Sequence, residues 1–358
     1  MTSEEAIREK FPLLRTKDSL LEEIYTSPHL LRMFQSWQED KKQEFIDMCT
    51  GAKGVKILYD SVFKEIMNPE YTPERIGDFL SVLLKQRVVV LHALPNDSVR
   101  IGAENSLLYT DLVVQLEDGS LANIEIQKIG YLFPGQRSAC YSADLLLRQY
   151  KRVREEIKNI PNKKFSYKDI MPVYTIVIFE KSPNVFHAFP SDYLHYIEAK
   201  SNTGIELELL QKYLFISLDI FKENVQNKGS IDNRIEAWLS FLSMDEPVNI
   251  LNLIEVYPEF QRMYDEVYQL CLNTEKVMEM FSEELRILDH NTAEYMVDVM
   301  QDEIDALKDK TQKQQDTIDV QQNTIDMQQS TIGSQQSTID SQQKEISDLK
   351  RKLLKMQG

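Results

Sequence analysis

A chain of 358 residues that is 42% hydrophobic and 27% charged can bury a sizeable core over two or three domains, which excludes wholesale disorder. Three widely spaced cysteines, five histidines and eleven glycines make a disulfide scaffold, a zinc finger, a histidine metal cage or a glycine-rich phosphate loop poor readings. A net charge of −16 argues against a general nucleic-acid coat, although local basic patches can still bind phosphate.

The opening MTSEEAIREK has no apolar signal stretch, and no run of 18 apolar residues follows, so the chain reads as cytoplasmic with no membrane span. Residues 1–54 form a charged, mainly helical arm with a pause at Thr26-Ser27-Pro28. Residues 60–86 read as two helices separated by NPEYTPE, where Pro69 and Pro73 interrupt the pattern. Strands are expected over 88–94, 107–116 and 121–128, a long helix over about 134–159, and a buried strand over 172–179. Short edge strands are added at 185–189 and 213–218, and 231–300 is helical again. This order describes an α/β sandwich core rather than a dinucleotide-binding fold.

The last sixty residues stand apart. TIDVQQN, TIDMQQS, TIGSQQS and TIDSQQK follow one another as seven-residue units from 317 to 344. Ile318, Ile325, Ile332, Ile339 and Ile346 recur at a, with Gln321, Gln328, Gln335 and Gln342 at d. The expected outcome is a long helix that self-associates as a coiled coil through 301–358, modestly, because half the seam is amide. A glutamine-rich solvated tail is the alternative.

The chemistry concentrates between residues 111 and 127. Alternation along 121–128 puts Asn123, Glu125 and Gln127 on one strand face and Ile124 and Ile126 on the other. A carboxylate in an apolar strand is expensive to bury alone, and Asp111 repeats the anomaly one strand earlier. Two carboxylates on paired strands suit a hard cation such as Mg²⁺ or Mn²⁺. Ordinary polar positions on a solvated strand face are the alternative. Register decides whether the pair can form. A two-residue Asp118-Gly119 turn would set Asp111 opposite Ile126, whereas a three-residue loop, Glu117-Asp118-Gly119, pairs 116 with 120 and sets Asp111 opposite Glu125. Gly119 then occupies the left-handed position of that loop, and the second register is the expected one.

YTDLVVQLEDGSLANIEIQK, then FPGQRSACYSADLL, then DIMPVYTIVIFEKSP, resembles the PD-(D/E)XK nuclease family transposases, the group that includes recombination-promoting nucleases. The resemblance covers about residues 55–190, with Asp111, Glu125, Gln127, Arg137 and Tyr141 at the positions of the group's motif. It implies a restriction-endonuclease-like αβββαβ core over 55–195; the N-terminal arm and the coiled coil are not explained by it, and the mainly helical extension over 196–300 is read from its pattern. It also implies a metal-dependent DNA endonuclease in recombination or mobile-element biology. Asp111 and Glu125 would bind Mg²⁺ or Mn²⁺, with the Ile126 carbonyl as a third oxygen.

A lysine usually ends this motif; Gln127 can orient a water but cannot supply positive charge, which weakens the expected catalysis. Alternation points Lys128 away from Glu125, so Arg137 is the better cation for gripping phosphate. The group's helix acid falls on Asp60 or Glu65, with Glu65 favoured, and either also fits an ordinary surface carboxylate. Residues 136–169 hold nine basic side chains against four acidic ones, and Arg137, Arg148, Lys151 and Arg152 are the expected DNA contacts, a solvated helix face being the alternative. Tyr141 fits either the site or the core. The rival function is a catalytically weak nuclease fold kept as an oligomerising DNA-binding or adaptor protein.

Overall fold

The computed structural model describes residues 3–94, 112–130 and 133–356. Four helices open the chain: α1 (Ser3–Lys10), α2 (Lys17–Thr26), α3 (Pro28–Ser36) and α4 (Glu39–Thr50). The pause at Thr26-Ser27-Pro28 is a helix boundary. Ser27 Oγ accepts the Leu30 N–H, and Pro28 takes the first helical position, where its missing donor costs nothing. The prolines of NPEYTPE likewise separate α5 (Asp60–Ile66) from α6 (Pro73–Leu84).

A six-stranded sheet follows, built from β1 (Val90–Ala93), β2 (Leu112–Leu116), β3 (Leu121–Gln127), β4 (Val173–Phe179), β5 (Leu194–Ile197) and β6 (Gln211–Ser217), in the order β1-β2-β3-β4-β6-β5. The first three strands form an antiparallel meander. Helix α7 (Pro134–Lys158) then crosses over to set β4 parallel to β3. This is the αβββαβ succession expected from the sequence, extended by β5 and β6. Two expectations are corrected here. Residues 185–189 form no strand; Phe186–Ala188 is a single 3-10 turn. Residues 213–218 are not an edge, because β6 runs parallel to β4 inside the sheet and the edge is β5.

One sheet face, bearing Ala122, Ile124, Ile176, Ile178, Leu214 and Ile216, is buried in the main core. The same core takes side chains from α1–α6 and from α8 (Leu218–Lys228), α9 (Arg234–Ser243), α10 (Pro247–Val256) and α11 (Phe260–Leu270). On the other face Val113, Leu121 and Val173 pack with Leu145 of α7.

The hairpin β2–β3 has the three-residue loop. Leu116 N–H donates to the Ser120 carbonyl at 3.0 Å and Gly119 N–H to the Leu116 carbonyl at 2.9 Å. Gly119 has φ +87°, a backbone conformation that calls for glycine, and an added Cβ would lie 3.3 Å from Met171 Cγ. Helix α7 reaches this loop: Gln149 Nε2 donates to the Gly119 carbonyl at 2.7 Å and Arg152 Nη2 to the same oxygen at 3.3 Å.

The compact unit ends at Tyr295, and residues 296–358 form a second unit. Its described residues are helix, the latter part of α12 (Thr274–Met356). Its repeats stabilise it locally. Gln315, Gln322 and Gln336 each donate to the aspartate four residues on, at 2.8, 2.9 and 2.8 Å. The corresponding aspartate is missing in the third unit, where Gly333 stands. Ile318, Ile325, Ile332, Ile339 and Ile346 remain 45–62% exposed.

Candidate active site

The centre of β3 carries the polar stripe that alternation requires. Asn123, Glu125 and Gln127 lie on the α7 side of the sheet, only 1, 7 and 4% exposed, while Ile124 lies in the main core. Val177 and Phe179 of β4 stand beside Glu125 and Gln127, and Thr175 stands beside Asn123. Glu125 is therefore a buried carboxylate on an inner strand rather than a member of a solvated face.

The α7 side chains over this stripe follow from geometry. The helix is anchored at the loop end by Gln149 on Gly119 and by Leu145 against Leu121. One helical turn advances about as far as two strand residues. The next two turns then bring Tyr141 and Ser138, both buried, over the Asn123–Glu125 stretch, and half-buried Arg137 towards the Gln127 end. Ser142 Oγ accepts a 3.0 Å bond from Gln211 Nε2 at the start of β6. Gln127 Oε1, both Asn123 amide atoms, Thr175 Oγ1 and Ser138 Oγ have no hydrogen-bond partner among the described residues. Each unsatisfied buried polar atom costs about 1–3 kcal/mol, so such a cluster marks a place where a polar ligand belongs. A buried carboxylate beside an unengaged amide oxygen is an all-oxygen donor set, which fits a hard divalent cation.

The remaining expected residues are distributed as follows. Asp111 lies outside the described residues. The described β2–β3 pairs run from Gln115–Leu121 to Leu112–Ile124, which is the register of the three-residue loop and not of the two-residue turn. Ile126 pairs with Ile178 and packs its side chain against the main core. Glu65 is exposed on α5, with its carboxylate held by Lys276 at 2.8 Å, and Asp60 is ion-paired with Lys64 at 2.8 Å. Arg148 is paired with Asp144 at 2.6 Å, and Arg152 also engages Gln149 at 2.6 Å and Glu156 at 3.1 Å. Lys151 is exposed; Arg154, also exposed, lies over the Tyr150 and Phe165 rings at 5.3 and 5.7 Å.

Lys128 points away from Glu125, as alternation requires, and its environment has no signal in the sequence. It is 5% exposed, lies 3.3 Å from the fully buried Glu284 of α12 and 3.7 Å from Glu180, and donates to the Leu58 carbonyl. Its ammonium sits over the Tyr59 ring at 5.1 Å. Burial pushes the Glu284 carboxyl up, against the downward pull of Lys128 and of the Asp60 N–H, which donates to it at 2.8 Å. Nearby, Glu44 accepts from Lys41, Lys56 and Tyr59 at 2.8, 2.5 and 2.5 Å. Burial alone would raise the Glu44 pKa, but these bonds outweigh it and hold the carboxyl at about 2. Glu44, Lys56 and Tyr59 line a cavity of about 400 Å³ with Asp40, Asp47 and Asp245, separate from the Glu125 stripe.

Among the described residues no helix is long and apolar enough to cross a membrane. The family model of the PD-(D/E)XK nuclease family transposases matches residues 57–298. No curated protein and no solved structure matches the chain.

Proposed function

The chain belongs to the PD-(D/E)XK nuclease family transposases, and from that premise we propose that it is a metal-dependent DNA endonuclease. The observation that carries this reading is the placement of Glu125 and Gln127 at the family's motif, buried on one strand face with the Gln127 amide oxygen unengaged. Asp111 and Glu125 would hold Mg²⁺ or Mn²⁺, and the Ile126 carbonyl would be a third donor. The β2–β3 register supports this assignment: the described pairs, Gln115–Leu121 to Leu112–Ile124, follow the three-residue loop, the register in which two carboxylates at 111 and 125 would share a face. The chemistry such a cation supplies when bound is polarisation of the scissile phosphate and acidification of the attacking water.

The chain's own residues do the rest. Gln127 orients the water through its amide. Arg137, at the start of α7, grips a phosphate oxygen pair, since a guanidinium presents two parallel donors. Of the DNA contacts expected on α7, Lys151 is free to track the backbone, whereas Arg148 and Arg152 hold the helix and the hairpin loop in shape. The exposed isoleucine seam of α12 joins copies into a homo-oligomer, so that two active sites can meet two strands.

One observation favours the second reading, a catalytically weak nuclease fold serving as an oligomerising DNA-binding or adaptor protein. Gln127 brings no charge, and Lys128 is committed to Glu284 on the opposite side of the sheet. Nicking of supercoiled plasmid with and without Mg²⁺, by the wild type and by Asp111→Ala, separates the two. An endonuclease nicks only with metal and only when Asp111 is intact. DNA binding without nicking selects the adaptor.

A further inference from the structure

We infer that Asn123 is a positioning residue of the same site. Its carboxamide and the hydroxyl of Thr175 hold one buried water that hydrogen-bonds the Glu125 carboxylate and fixes its orientation towards the metal. The inference rests on the metal-site reading above.

Asn123 and Thr175 are register partners on β3 and β4, so their side chains leave the sheet side by side on the α7 face. They are 1 and 0% exposed. The asparagine Oδ1 and Nδ2 and the threonine Oγ1 lack hydrogen-bond partners among the described residues. Packing gives no reason for polar side chains here. Val113 stands across from Asn123 on β2, Leu121 precedes it on the same face, and Leu121, Val113, Val173 and Leu145 form a continuous apolar cluster. A leucine at 123 would extend that cluster. An asparagine in its place loses stability unless its donors and acceptor are used.

The next side chain along the same face is Glu125. A buried water needs two to four polar partners. The Asn123 amide, the Thr175 hydroxyl and the Glu125 carboxylate make that set, with the amide or hydroxyl donating to the water and the water donating to the carboxylate. Partners that orient a metal-binding group without touching the metal typically change its affinity about 10–100-fold when removed. Asn123 and Thr175 would act in this way, as a local rule of core packing broken for the sake of a site.

The test measures Mn²⁺ binding to full-length protein by the loss of the free-ion electron paramagnetic resonance signal, independently of nicking. Asn123→Leu should weaken Mn²⁺ binding about 10–100-fold while leaving the metal-free protein no less thermally stable. Asn123→Ser, which keeps a polar group and leaves room for the water, should bind within a few-fold of wild type. Thr175→Val removes only the hydroxyl at constant shape and should weaken binding in the same direction. Asn123→Leu with wild-type affinity overturns the inference. If Asn123→Leu fails to fold, unchanged affinity in Thr175→Val overturns it instead. Failure of the metal-site reading itself looks different: wild type then takes up no Mn²⁺, or Glu125→Gln takes it up as well as wild type.

Discussion

Lys128→Met is the substitution whose consequence the buried charges define most sharply. The methionine keeps the length of the stem and removes the ammonium, which lies over the Tyr59 ring and 3.3 Å from Glu284. Glu284 is fully buried, and among the described residues it also accepts from the Asp60 N–H at 2.8 Å. Breaking a buried pair by removing one member costs about 3–5 kcal/mol, because the other charge is left uncompensated. For a body of this size about 1 kcal/mol moves Tm by about 2 °C, so the loss at pH 8 should be about 8 °C.

The pH dependence follows from the direction in which Glu284 is shifted. Its carboxyl is already raised by burial, and loss of Lys128 removes the main downward pull. A carboxyl raised in the folded state contributes its stability fully below the ordinary carboxylate value and loses it as pH rises through the raised one. The variant should therefore be closest to wild type near pH 5 and furthest from it at pH 8. Glu284→Gln in the Lys128→Met background should recover most of the loss at pH 8. Thermal unfolding followed by circular dichroism at both pH values reads all of this. A loss of equal size at pH 5 and pH 8, or none at pH 8, would refute the reasoning.

Three further outcomes are expected. Glu44→Gln should cost up to about 3 kcal/mol at neutral pH, from the drop of its carboxyl from 4.5 to about 2. That contribution is present above about pH 4.5 and lost as pH falls towards 2, so chemical denaturation across this range should fall less steeply in the variant than in wild type. Gln127→Lys should leave metal-dependent nicking intact or raise it, and abolished nicking with unchanged Mn²⁺ binding would mean the amide makes a contact a lysine cannot replace. Removing residues 301–358 should lower the mass seen by light scattering, and Leu at positions 321, 328, 335 and 342 should raise it; equal masses for full-length and truncated protein would show that the tail does not join copies.

Local signals carried the sequence reading furthest. Alternation over 121–127 assigns Asn123, Glu125 and Gln127 to one face because the strand period is exact, and the three-residue loop is legible because it alone sets positions 111 and 125 opposite each other while giving Gly119 the left-handed position it takes. The proline breaks and the long helix at 134–158 were legible for the same reason. Strand β6 was misjudged as an edge because an apolar run does not reveal whether neighbours lie on one side or both. At 185–189 apolar side chains gather on a 3-10 turn that packs Phe186 against Phe179 and Phe215, so hydrophobicity there reports burial and not strand geometry. The Lys128–Glu284 pair joins positions far apart in the chain, and no periodic signal points to it. Asn123 was visible as a polar residue on the site's face; its burial beside Thr175 depends on β4, a pairing set only by the tertiary fold.

The proposed cleavage of phosphodiester bonds rests on Asp111 and the buried Glu125 holding a divalent cation. Its most direct test is Mg²⁺-dependent nicking of supercoiled plasmid by Glu125→Gln, an isosteric change that removes the charge and keeps the packing of the stripe. Provided the variant unfolds at the wild-type temperature, its nicking should fall to the level seen with chelator, as should that of Asp111→Ala. Wild-type nicking by Glu125→Gln, in protein free of contaminating nuclease, would contradict the account.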